Sequence, residues 1–195
     1  MPPRLIESIE NWFRRLDDGE FCANPAAERS TSIGDAHQAA TIVYTTKIHC
    51  LTRIAGLDTL RQPVAVIGRY GLPVADDLLF LRGRTQSVSR IFLGDADPPD
   101  VLAFAWLRDH VPITWLGVND EFLKRHGNFE RIDLQIPMTA SEIDTVPNLQ
   151  RLCPDFRDLM GEYCSSLLDR GFKIELEAAI MNNHEDTHSS PPLGP

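Results

Sequence analysis

The chain has 195 residues, 43% of them hydrophobic and 24% charged, an ordinary balance for one domain with a sizeable core. Its 19 basic residues face 28 acidic ones, a formal net charge of −9 that argues against holding a nucleic-acid backbone through the overall field. That charge leaves room for a local basic strip, or for a metal ion bridging carboxylates to phosphate.

No window approaches the ~18 apolar residues of a membrane helix. The charged start Met1-Pro-Pro-Arg-Leu-Ile-Glu carries no signal-peptide core, so the expectation is a cytoplasmic protein with no membrane partner. Cys22, Cys50, Cys153 and Cys164 form no CxxC pair and no zinc spacing, and read as reduced thiols, with Cys164 in the core.

Leu5, Ile6, Ile9, Trp12, Phe13 and Leu16 fall on one face of a helix over residues 4–17. Residues 18–36 are polar and read as a loop. Strands are then expected at 41–46, 63–68, 89–94 and 112–117, each apolar and most closed by glycine. Between them lie a short helix over 48–55, a helix opened by Pro73 with Val74, Leu78 and Leu81, and a helix opened by Pro98-Pro99. Strands alternating with helices imply a parallel sheet covered on both faces, with right-handed crossovers. Thr139-Ala-Ser-Glu142 is a capping box. Pro154 opens a longer helix with Phe156, Leu159, Met160, Tyr163, Cys164, Leu167 and Leu168 on one stripe, stopped by Arg170-Gly171. Residues 172–180 read as a further short helix, and the tail from Met181 as disordered. The expected organisation is a helix and loop over 1–37, an α/β domain over 38–180 and a tail over 181–195.

In an open parallel sheet, ligands bind at the carboxyl ends of the strands. Those ends carry Thr46 and Lys47, then Arg69, then Asp95 and Asp97, then Asp120. Asp95-Ala-Asp97 is the sharpest feature. In an extended chain its two carboxylates point the same way and can share a divalent metal, which prefers hard oxygen ligands. Asp120 is a candidate third acid, and Lys47 and Arg69 are candidate phosphate ligands. A structural reading competes: Asp97, just before Pro98-Pro99, is a strong helix N-cap, while Lys47 and Arg69 neutralise Asp95. Asp76-Asp77 in the first turn after Pro73 read as structural. His184 and His188 lie in the polar tail and read as solvated. No GxSxG elbow, GxGxxG loop or P-loop is present.

The order of these segments resembles a known family. Ile42-Val-Tyr-Thr-Thr-Lys47, Val66-Ile-Gly-Arg-Tyr-Gly-Leu-Pro73, Phe92-Leu-Gly-Asp-Ala-Asp-Pro98 and Trp115-Leu-Gly117 resemble the Toprim domain in the DNA-cleaving chain of topoisomerase VI and in the related meiotic double-strand-break transesterases. Met138-Thr-Ala-Ser-Glu-Ile-Asp144 and Leu168-Asp-Arg-Gly-Phe-Lys-Ile-Glu175 resemble that family's closing segments, so the likeness runs over residues 38 to 180.

The resemblance implies a Toprim-like four-stranded parallel sheet with helices on both faces, plus the N-terminal helix and a C-terminal helical segment. It implies Mg²⁺ held by Asp95 and Asp97. Thr46 stands where the family has its metal-binding glutamate, and Gly68-Arg-Tyr-Gly71 replaces the family's Gly-Lys-Gly. The family's cleaving tyrosine lies in a winged-helix domain, which needs more than the ~35 residues that precede the fold here.

Catalytic residues are therefore not assigned. The expectation is a stand-alone, partly degenerate domain that handles DNA phosphate with a divalent metal beside a separate ATPase or winged-helix protein. The alternatives are a non-catalytic protein-interaction module on the same fold, or a generic α/β domain unrelated to the family.

Overall fold

Short runs of β-branched and aromatic residues make the strands, and proline and aspartate set the helix starts between them. The structure, a computed structural model, describes residues 31–33, 38–47, 64–69, 73, 75–82 and 88–181. The helices expected over 4–17 and 48–55, and the tail after Met181 with His184 and His188, lie outside the described residues.

The main sheet contains β1 (Thr31–Ile33), β2 (Thr41–Thr45), β3 (Val64–Gly68), β4 (Ser89–Leu93) and β5 (Thr114–Trp115), in the spatial order β1-β3-β2-β4-β5. β2 to β5 are the four expected strands, and all their pairings are parallel. β1 lies in the stretch read as loop and corrects that reading. It pairs antiparallel with β3, setting Thr31 opposite Gly68 and Ile33 opposite Val66. Three residues are too few to show an alternating pattern. What makes them a strand is the row of backbone groups that β3 offers at the sheet edge.

Ile42, Val43, Tyr44 and Thr45 are all buried, so β2 is covered on both faces. α1 (Ala75–Arg82) leads from β3 to β4, and α2 (Pro98–His110) from β4 to β5. Leu78 and Leu81 of α1, with Leu102, Phe104 and Leu107 of α2, join Ile42, Tyr44, Ala65, Ile67 and Phe92 in the main core. Val43 and Val66, flanked by Ile91 and Leu93, form a smaller cluster.

The sheet register aligns Ile67, Tyr44, Phe92 and Trp115 in one cross-strand row. Phe92 stacks on Tyr44 at 5.7 Å and on Trp115 at 5.2 Å, and the Phe104 ring stands edge-on to both Phe92 and Trp115. Such pairs add to burial and fix strand register. Trp106 and Trp115 are thus core residues.

The rest of the chain builds a helical layer: α3 (Asp120–Arg125), a 3₁₀ turn (Ile132–Leu134), β6 (Ile136–Pro137), α4 (Ala140–Leu152), α5 (Phe156–Met160), α6 (Glu162–Asp169), β7 (Phe172–Lys173) and α7 (Leu176–Met181). The Thr139–Glu142 capping box forms as expected and starts α4, which continues through Pro147.

Two expectations for this layer are corrected. The single helix from Pro154 is two helices, because Gly161 has φ of 83° and its N–H closes α5 on the Arg157 carbonyl. A Cβ at Gly161 would collide with the Asp120 carboxylate, so the break also makes room for that group. Residues 172–180 begin as β7, which pairs antiparallel with β6 before α7 starts.

Phe156, Met160, Cys164, Leu167 and Leu168 are buried, while Leu159 and Tyr163 are half-buried. Leu167→Ala should therefore cost about 2–5 kcal/mol in urea denaturation. A loss below about 0.5 kcal/mol would mark the site as surface-like.

Candidate metal centre

The strand order reverses at β2. The next strand in sequence, β3, lies on one side of it, and β4 lies on the other. The carboxyl ends of β2 and β4 thus form a topological switch point, where open α/β sheets place their ligands. Thr46 and Lys47 leave one strand there, and Gly94 and Asp95 leave the other.

Beyond β4 the chain stays extended. Ala96 makes a two-way backbone bridge with Ile174, its N–H donating to the Ile174 carbonyl at 3.0 Å. Asp95 and Asp97 flank that bridge, as the sequence reading required. Asp97 then caps α2: its Oδ1 accepts the Asp100 N–H at 2.8 Å, and Pro98 and Pro99 fill the first helical positions. The capping reading of Asp97 is therefore correct.

Asp97 also belongs to a cluster. Asp95, Asp97 and Asp100 each offer a carboxylate oxygen, these oxygens lie within 4.8 Å of one another, and all three residues are buried. Asp100 Oδ2 accepts the Asp95 N–H at 2.7 Å and the Thr46 hydroxyl at 2.8 Å. Asp95 Oδ1 accepts the Leu176 N–H at 2.9 Å, and its Oδ2 meets Lys47 Nζ at 2.5 Å. Gly94 is required here, because a Cβ on it would stand 2.6 Å from Asp100 Oδ2 and 2.7 Å from Phe92 Cε1.

Burial raises the pKa of all three acids. Asp97 is pushed well above the usual carboxylate range by burial and then by the charges of Asp100 and Asp95. Asp100 is pushed from 3.8 up to about 7 by burial and then by Asp95. Asp95 is raised by burial, with Lys47 opposing. The donor set is three hard carboxylate oxygens brought close together, which suits a metal ion. This buried acidic triad can hold a metal ion.

The other expected site residues fall elsewhere. Asp120 lies outside the Asp95–Asp97–Asp100 cluster: its oxygens accept the N–H groups of Tyr163 and Cys164 at 3.0 and 2.8 Å, in the first turn of α6. Arg69 is buried and turned to Asp77, with Nε 3.2 Å from Oδ2, and Asp77 also accepts the Tyr44 hydroxyl at 3.2 Å. Asp77 is structural, as expected.

Asp100 is the residue that sequence reasoning missed. Its signal was an aspartate at the third helical position behind an aspartate cap. That side chain is too short for the usual reach back to the cap, yet it meets the amide two residues further upstream. No family model matches the chain, and no curated protein matches it.

The unfolded Asp100 carboxyl titrates near 3.8 and the folded one near 7. Between those values the folded state keeps a proton that the unfolded state has lost. The stability of the metal-free protein should therefore fall as pH rises from about 4 to about 7, by up to ~1.4 kcal/mol per pH unit from this group. Asp100→Asn keeps an acceptor for the Asp95 amide and should flatten that slope in urea melts taken across the range. An unchanged slope would place the titration elsewhere.

Proposed function

We propose that this chain is a Toprim-like domain of DNA metabolism that holds Mg²⁺ on Asp95, Asp97 and Asp100 and uses it to engage DNA phosphate, acting beside a separate ATPase or winged-helix protein. The observation that carries this reading is the buried triad at the switch point, with its carboxylate oxygens within 4.8 Å of one another. The resemblance of residues 38–180 to the Toprim domain of topoisomerase VI supplies the substrate class. Asp95 and Asp97 match that family's carboxylate pair.

Thr46 stands at the glutamate position and cannot supply negative charge. It donates its hydroxyl to Asp100, and Asp100 provides the third acid. Bound Mg²⁺ would supply Lewis-acid polarisation of a phosphate oxygen. Lys47, at the carboxyl end of β2, is the cation beside the triad, where it pairs with Asp95. Arg69 pairs with Asp77 on α1.

One set of contacts favours the second reading, a non-catalytic interaction module. Each acid already has an internal partner: Lys47 and the α7 N–H for Asp95, the α2 N–H for Asp97, and Thr46 with an amide for Asp100.

Calorimetry with Mg²⁺ and Mn²⁺ separates the two. The metal reading expects millimolar or tighter binding, lost in Asp95→Asn and tightened in Thr46→Glu. If neither the wild type nor Thr46→Glu takes up a divalent ion at millimolar concentration, the interaction module stands.

With Thr46 in the glutamate position, the chain alone should leave supercoiled plasmid intact in Mg²⁺. Nicking that disappears in Asp95→Ala would instead make it an autonomous nuclease.

A further inference from the structure

Lys47 is half-buried, with its ammonium 2.5 Å from Asp95 Oδ2 and 3.5 Å from Glu177 Oε2. These acids belong to distant parts of the chain, the β4–α2 turn and α7. The other oxygen of Asp95 is committed to the Leu176 N–H at the start of α7. A metal that joins the triad through Asp95 Oδ2 meets the Lys47 ammonium there, while Oδ1 holds the Leu176 N–H. Glu177 Oε2 is shielded from solvent and, among the described residues, accepts no hydrogen bond. Its ion-pair partner is Lys47, at a distance longer than a hydrogen bond. One acid thus holds the lysine, and a second beside it has an unfilled acceptor.

We infer that Lys47 is the resident counter-cation of the triad and has two positions, on Asp95 when no metal is bound and on Glu177 when a divalent ion takes Asp95. This rests on the metal reading above. A lysine suits the part, being a compact charge on a flexible four-carbon stem with three donors. It keeps the buried Asp95 compensated while the site is metal-free, since an unpaired buried carboxylate is costly. It also sets the metal concentration at which the site fills, because ammonium and metal compete for one oxygen. Glu177 is a positioning residue: it takes up the lysine that the metal displaces.

The test is Mn²⁺ titration of the full chain, followed by calorimetry and by the loss of the free-ion spin-resonance signal. Wild type is compared with Lys47→Met, Lys47→Gln, Glu177→Gln and the Lys47→Met/Glu177→Gln double variant. Removing the competing charge should tighten Mn²⁺ binding about tenfold in both lysine variants. Glu177→Gln should weaken binding in the wild-type background and have a clearly smaller effect in the Lys47→Met background.

Lys47→Gln retains a neutral donor for Asp95, so a folding failure of Lys47→Met leaves a readable variant. Thermal melts add an independent measure: the rise in Tm on adding Mn²⁺ should be larger in the lysine variants than in wild type.

If wild type binds Mn²⁺ and neither lysine variant binds it more tightly, the competition is absent and the inference falls alone. Equal weakening by Glu177→Gln in both backgrounds would make Glu177 a direct ligand and overturn the two-position lysine. If no variant binds Mn²⁺, the metal reading fails and takes this inference with it.

Discussion

Asp100 Oδ2 is a single buried oxygen on which two strands and a helix converge. It receives the hydroxyl of Thr46 from the end of β2 and the amide of Asp95 from the end of β4, while its own backbone belongs to the first turn of α2. The contact needs a strand end with no side chain, and Gly94 provides it. Gly117 makes a second close approach, since a Cβ there would collide with the Gly94 carbonyl oxygen. The neighbouring Val118 N–H donates to that same carbonyl at 2.9 Å. The ends of β2, β4 and β5 are therefore joined by backbone and carboxylate contacts, next to the aromatic row of Tyr44, Phe92 and Trp115.

Short polar side chains also do much of the architectural work. Asp97 caps α2, Asn119 caps α3, Thr139 caps α4, Asp120 binds the first turn of α6 and Asp95 binds the first amide of α7. Free amides at a helix start stabilise a carboxylate, and the carboxylate satisfies the amides. Two of these five residues, Asp95 and Asp97, are also members of the triad. Their placement is tied to helix starts: Asp97 takes an amide of α2 and Asp95 an amide of α7.

The parallel sheet was legible because each of its strands is a short apolar run, and because proline marks the helix starts between them. Asp95 and Asp97 were legible because an extended chain turns alternate residues the same way. Asp100 was not, because its role depends on a hydrogen bond back across the cap to Asp95. Asp120 looked like a rim acid by its place after β5, but its partners, Tyr163 and Cys164, lie more than forty residues along the chain, and nothing local announces them. Arg69 was assigned to phosphate by the same strand-end logic. The buried Asp77 on α1, already holding the Tyr44 hydroxyl, is its partner instead. The break at Gly161 was hidden because the apolar spacing continues across it from Met160 to Cys164.

α7 is fastened at both ends to earlier parts of the chain. Asp95 takes its first amide, and the buried Asn128 donates its side-chain amide to the Ala179 carbonyl at 2.6 Å. The β7 residue before it, Lys173, is held by Glu142 of α4 at 2.9 Å. During synthesis on the ribosome, the sheet and α2 emerge long before α7 does. The nascent chain therefore carries Asp95 and Lys47 with one side of their surroundings missing, and the acid cluster takes its final shape only once residues 172–181 have left the exit tunnel. The contacts that Leu176 makes with Asp95 and Glu177 with Lys47 can form only after that last stretch has been made.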